Sequence, residues 1–136
     1  MTAMAERRRA AYRLGRRAEA FCALVLRLKG YRILARRFRT PVGELDIVAA
    51  RGNTFVFVEV KARPSAEAAA EALGPHQRAR LERAAAAWLG MRGTRFAPQS
   101  PASVRFDVML VAPWRWPRHI VDAWRVEPAA SKGVGW

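Results

Sequence analysis

The sequence predicts an α/β fold in which a mixed central sheet is flanked by helices, and three observations carry that prediction. A segment near the start places apolar residues at helical spacing, five later runs have the alternation and Val/Ile/Phe content of strands, and a second helical segment separates the third run from the fourth. The order α, β, β, β, α, β, β within 136 residues describes a single domain whose sheet is covered by its helices.

From Glu6 to Lys29, the residues Leu14, Ala18, Phe21, Val25 and Leu28 recur at steps of four and three, which predicts one buried helical stripe ended by Gly30. Tyr31–Phe38 reads as the first strand, Pro41–Gly43 as a turn and Glu44–Ala50 as the second strand. Gly52 and Asn53 turn this strand into a hairpin with Thr54–Arg63, the clearest strand of the chain, which Pro64 ends. Ala66–Leu73 is an alanine-rich connection. Pro75 opens a second helix that runs to about Leu89 with Leu81, Ala84, Ala85 and Trp88 inward. A polar loop covers Gly90–Ala102, and Ser103–Val111 and His119–Val126 are the last two strands, joined through Ala112–Pro117. Residues 1–127 form the expected domain and 128–136 an expected flexible tail.

The charge balance narrows the function. Lys plus Arg number 25 against 11 Asp plus Glu, a formal charge of +14, so polyanions are attracted and nucleic acid is the first partner to consider. Only Lys29, Lys61 and Lys132 are lysines, and the arginine excess together with the many alanines also matches a GC-rich coding sequence. The single cysteine, Cys22, forms no internal disulfide, and one thiol with two histidines builds no structural zinc site, which fits a reducing, cytoplasmic setting. The apolar run Phe21–Leu28 contains Arg27, follows Glu19 and is too short to span a bilayer, so no membrane role is expected.

Charges interrupt the two strands that should be most apolar. Period-two alternation puts Phe55, Phe57, Glu59 and Lys61 on one face of the third strand, and Glu44 and Asp46 on one face of the second, with Leu45 and Ile47 on the other. The hairpin brings Asp46 near Glu59. Two carboxylates from adjacent strands and a lysine one pleat onward make an oxygen-donor site for Mg²⁺ or Mn²⁺, with an ammonium placed to orient a water: the groups that phosphodiester hydrolysis needs. The same residues on a solvated sheet face would form ordinary cross-strand salt bridges, and alternation does not separate the two readings.

Glu44-Leu45-Asp46 followed by Glu59-Val60-Lys61, with thirteen positions from Asp46 to Glu59, resembles the PD-(D/E)xK nuclease motif. With GYRILARRFRTPVGELDIVA, FVEVKAR and RFDVMLV, the chain is similar to the YraN-like family of uncharacterised bacterial proteins over roughly Leu14–Glu127. The resemblance implies a restriction-endonuclease-like αβββαβ core. It implies Asp46 and Glu59 as catalytic carboxylates that bind the metal together with the carbonyl of Val60, and Lys61 as the catalytic lysine. It also implies Glu19 as a further metal or water ligand, by likeness to the first-helix glutamate of resolvase-type nucleases. Ala18 stands where family members usually have Gly. Glu44, two residues before Asp46, is either a supporting acid around the ligands or a solvated strand-entry residue, and Gln77, one turn before Leu81 on the second helix, is a candidate supporting residue. Gln77 matches only part of the Q-x-x-x-Y motif of RecB-like nucleases, since Leu81 stands where Tyr would be.

Phosphate contacts are expected from Arg13, Arg16, Arg17, Arg36, Arg37, Arg39, Arg63 and Arg78. Trp114 and Trp116 would stack on unpaired bases, cover a sheet edge or make a homodimer contact. Asp107 is read as a structural salt bridge, and Cys22 as a core thiol. The expectation is therefore an Mg²⁺- or Mn²⁺-dependent endonuclease acting on DNA, branched or single-stranded before sequence-specific duplex. A binding protein of the same fold without useful turnover, and a small basic ribosome-associated or structural protein, are the alternatives.

Overall fold

A computed structural model describes residues 2–63, 74–91, 103–112 and 116–124, and of residues 10–14 the backbone alone. The expected Ala66–Leu73 connection, most of the Gly90–Ala102 loop, Trp114 and the tail 128–136 lie outside the described residues.

Helix α1 (Ala3–Leu28) starts at Thr2, whose hydroxyl accepts the Ala5 N–H at 3.2 Å, and gives way at Gly30, whose φ of +93° lies in the left-handed region that glycine tolerates. Strands β1 (Arg32–Thr40), β2 (Gly43–Arg51) and β3 (Thr54–Ala62) follow, then helix α2 (Pro75–Met91), β4 (Ser103–Val111) and β5 (Arg118–Trp124). The expected elements are all present, with bounds shifted by no more than three residues and those of β4 unchanged.

The five strands form one mixed sheet in the order β1-β2-β3-β4-β5. Every neighbouring pair is antiparallel except β3 and β4, which are parallel and have α2 between them in sequence. Two apolar layers sandwich this sheet. On one side Leu81, Ala84, Ala85 and Trp88 of α2 pack on Leu45, Val48, Phe55, Phe57, Phe106 and Val108. On the other, Cys22, Ala23, Val25 and Leu26 of α1 pack on Ile47, Ala49, Val56, Val58 and Met109.

Two sequence expectations change here. Leu45 joins the α2 layer and Ile47 the α1 layer, so they do not share a face; strict alternation fails at Asp46, where β2 leaves its ladder with β3. The buried stripe of α1 is also rotated. Ala18, Glu19, Cys22, Ala23, Val25 and Leu26 are buried, whereas Phe21 and Leu28 face outward with Leu24. Small side chains at Ala18, Cys22 and Ala23 let the helix backbone approach the sheet, and the bulky residues are left on the far side.

Beneath α1 lies an ion cluster around Asp107, whose side chain is fully buried. Arg105 donates to both of its oxygens at 2.8 Å, His119 Nε2 stands 2.7 Å from Oδ2, and the Asp122 N–H donates to Oδ1 at 2.9 Å. Burial pulls this carboxyl upward, yet the bonds from His119, Arg105 and the Asp122 amide together hold it below the usual aspartate range. Arg105 also donates to Tyr31 Oη at 2.6 Å, which ties the end of α1 to β4.

Candidate functional site

β2 and β3 are paired from Arg51 opposite Thr54 to Ile47 opposite Val58, and beyond that point the ladder stops. One residue further, Asp46 Oδ2 accepts the N–H of Val60 at 2.9 Å. A side chain thus takes a donor that a strand carbonyl would otherwise satisfy, which holds the parting strands together and fixes the carboxylate beside Glu59. Lys61 Nζ is 3.3 Å from Glu59 Oε1, and both side chains are largely buried. The glycine of the Gly43-Glu44-Leu45-Asp46 sequence has a packing reason: its φ is +153°, and a Cβ there would lie 3.2 Å from Cγ of Arg80 on α2.

Burial pushes Glu59 up to about 8, the Asp46 charge adds to the rise, and the Lys61 ammonium opposes it. Asp46 is raised chiefly by burial, against the Val60 N–H, a hydrogen bond from Glu59 and the charge of Lys61. Burial and the mutual repulsion of two carboxyls at close quarters thus act together to favour the protonated form of the pair. Burial pushes the Cys22 thiol on α1 up to about 12, and the charges of Asp46 and Glu19 add to the rise.

Among the described residues no three His, Cys, Asp or Glu side chains converge into a metal cage. What converges is two carboxylates and the backbone around Val60. Such a donor set fits a hard divalent cation that keeps several of its waters and excludes the four-ligand arrangement of zinc. Inward of the pair, a cavity of about 10 Å³ bordered by Leu45, Phe57 and Leu81 has room for one water at most.

The other expected residues are distributed as follows. Glu19 is buried, and it pairs with Arg36 at 2.5 Å and Arg37 at 3.2 Å, bridging α1 to β1. Among the described residues its Oε2 makes no hydrogen bond, and Arg37 Nε is the ion-pair partner nearest to it. Arg37 reaches this pair from a backbone with φ of +51°. Glu44 is exposed and 3.6 Å from Arg39, on the rim of the site. Gln77 is half-buried in the first turn of α2 and, among the described residues, does not border the Asp46–Glu59 cavity. Arg16 and Arg17 are exposed on α1, Arg63 is exposed beyond β3, and Arg78 lies 5.7 Å from the Trp124 ring. The Arg13 side chain is outside the described residues. Sequence reasoning missed His119, which contacts Asp107 and, through Nδ1, Lys29 Nζ at 3.0 Å; the only signal was a histidine at the start of an apolar strand.

Residues 18–111 match the model of a family described as the uncharacterised protein family UPF0102. The chain belongs to the UPF0102 family. UPF0102 proteins similar to it include one from Parvibaculum lavamentivorans, 58% identical over 116 residues that cover 85% of this chain and 84% of the relative. Those of Paramagnetospirillum magneticum and Mesorhizobium japonicum are each 52% identical, over 87% and 88% of this chain and 92% and 96% of theirs. The family is YraN-like, as the strand motifs led one to expect. The matched region includes Glu19, Asp46, Glu59 and Lys61, so the whole candidate site lies inside the part of the chain that defines the UPF0102 family. Among the described residues, no helix is long and apolar enough to cross a membrane.

Proposed function

We propose that this UPF0102 protein is a divalent-metal-dependent nuclease with a restriction-endonuclease-like core, hydrolysing phosphodiester bonds in DNA. The observation that carries the reading is the gathering of buried Glu59 with half-buried Asp46 and Lys61 at the point where two central strands part. Salt bridges serving stability alone gain little from such a position, because taking charges out of water costs more than an ordinary pair returns. The order of elements, with two helices on opposite faces of a mixed sheet, supports the nuclease-like core, and the charge of +14 supports a polyanionic substrate.

In this reading Asp46, Glu59 and the carbonyl of Val60 would hold Mg²⁺ or Mn²⁺, which when bound would supply positive charge for the scissile phosphate and acidify a water. Asp46 and Glu59 would serve it as carboxylates. Lys61, held at Glu59, orients the attacking water and meets the negative charge that develops on the phosphate oxygens. Glu19 stays with Arg36 and Arg37, setting both guanidiniums beside the substrate path instead of completing the metal shell. Gln77 and Glu44 border the approach.

The test is cleavage of a labelled panel of duplex, single-stranded, flap and four-way-junction DNA, and RNA, in Mn²⁺. Wild type cuts at least one DNA member, Lys61→Ala cuts none while binding DNA nearly as well, and Glu59→Ala loses metal binding and cleavage together. Undiminished cutting by Lys61→Ala refutes the catalytic assignment. No cutting in any metal leaves the binding protein as the better reading.

A further inference from the structure

The outward face of α1 carries Phe21 (40% exposed), Leu24 (49%) and Leu28 (72%), and Trp116, just before β5, is 66% exposed beside it. Phe21 and Trp116 meet edge to face, with centroids 5.4 Å apart and planes at 77°. Whichever ring presents its edge, at least one face of the indole stays open. Among the described residues, the exposed ionic groups next to this patch are Arg17, one turn before Phe21, Arg27 and Lys29, on either side of Leu28, and Arg118, two residues after Trp116. All four are cations. A second copy of the chain would set like charges against each other, so the face asks for a partner that is anionic and also presents flat apolar rings.

The strand register gives the face its place relative to the nuclease residues. Lys61 lies opposite Leu110 on β4, and Leu110 lies opposite Arg118 on β5, so Arg118 stands two strands, about 10 Å, from Lys61 at the same end of the sheet. Trp116 precedes Arg118 on that rim. Lys61 shares the α2 face of β3 with Phe57 whereas Trp116 packs on α1, so a single strand that reaches both crosses over the sheet end.

We propose that Trp116, braced by Phe21 and flanked by Arg17, Arg27 and Arg118, is a stacking platform for an unpaired base, and that it selects single-stranded nucleic acid over duplex. A duplex keeps its rings inside its own stack and offers this face only phosphates, whereas every unpaired base has a free π-face. The proposal deepens the nuclease reading, on which its choice of substrate rests.

Binding is measured without divalent metal, in EDTA, by fluorescence anisotropy of a labelled oligothymidylate and of a hairpin duplex of equal length, so it is independent of turnover. Trp116→Ala weakens oligothymidylate binding by roughly 5-fold or more, the scale of one stacked base, and leaves duplex binding within a factor of two. Trp116→Phe keeps most of the affinity, and an unchanged melting temperature in both variants shows that they fold. Unchanged oligothymidylate binding by Trp116→Ala, or an equal loss on duplex, overturns the platform. So does a wild-type dimer in sedimentation velocity that Trp116→Ala dissociates, since the face is then a self-interface. A wild type that cuts DNA while Trp116→Ala binds normally refutes the platform alone. A wild type that never cuts while Trp116→Ala loses only single strands refutes the nuclease reading alone.

Discussion

The carboxylate of Asp46 accepts the backbone N–H of Val60 at 2.9 Å, just past the last ladder pair of β2 and β3, Ile47 and Val58. Asp46 is thus a structural acceptor as well as one of the two acids of the site, and its substitutions separate these roles. Asp46→Ala leaves the Val60 amide without its partner and loses about 1 to 3 kcal/mol in urea unfolding. Asp46→Asn keeps an acceptor oxygen and loses less. In calorimetry, wild type binds Mn²⁺ with measurable heat and Asp46→Asn binds far more weakly. Equal heats in the two proteins would remove Asp46 from the metal shell.

Glu59 makes metal-free stability depend on pH. A glutamate in the unfolded chain ionises near pH 4.5, while Glu59 in the folded chain keeps its proton to about pH 8. Between those values the folded state binds more protons than the unfolded one, so stability falls as pH rises. Thermal melts in EDTA show wild type and Glu59→Gln alike near pH 4.5, and the variant more stable near pH 8. Parallel curves over this range would mean that Glu59 is not held protonated.

Asp107 contributes in the opposite sense. Its carboxyl is held below the usual 3.8, so the stabilisation from its ion cluster is complete above that value and disappears as pH falls through the lower folded value. Asp107→Asn costs about 3 kcal/mol, the lower end for breaking a buried ion pair because Arg105 is partly exposed. The variant also loses the steep acid limb of the wild-type stability curve. Urea titrations at pH 3 and pH 7 check both effects.

Metal-free binding to duplex DNA weakens steeply between about 50 and 200 mM salt, as counterions return to the phosphates that the arginines had neutralised. A double Arg16→Ala, Arg17→Ala variant, altered at two exposed helix positions, reduces the slope of log affinity against log salt by about two if both touch phosphate. An unchanged slope would move the footprint to another face.

Much of this molecule was legible in the chain itself because its strands are short, locally alternating and punctuated by Gly, Pro and Asn. Gly52-Asn53 fixed the hairpin that places Asp46 next to Glu59, and the two charges inside TFVFVEVKA marked β3 as more than a core strand. What could not be read was rotation and long-range pairing. The buried face of α1 is set by how closely Ala18, Cys22 and Ala23 let it approach the sheet, which spacing alone does not reveal, and so Phe21 and Leu28 were expected inside. The grip of Arg36 and Arg37 on Glu19 joins residues 17 and 18 positions apart, and Asp107 finds His119 across a β4–β5 register shift. No local pattern encodes either contact.

Asp46, Glu59 and Lys61 all lie in one hairpin closed by two residues, whereas the parallel partner of that hairpin, β4, arrives only after α2. Hairpins form in microseconds, and parallel pairing must wait for its crossover to close. The three charged groups are accordingly gathered while still in water and are enclosed only when α2 and β4 dock. The carboxyl pair thus leaves water late, during the final compaction of the chain.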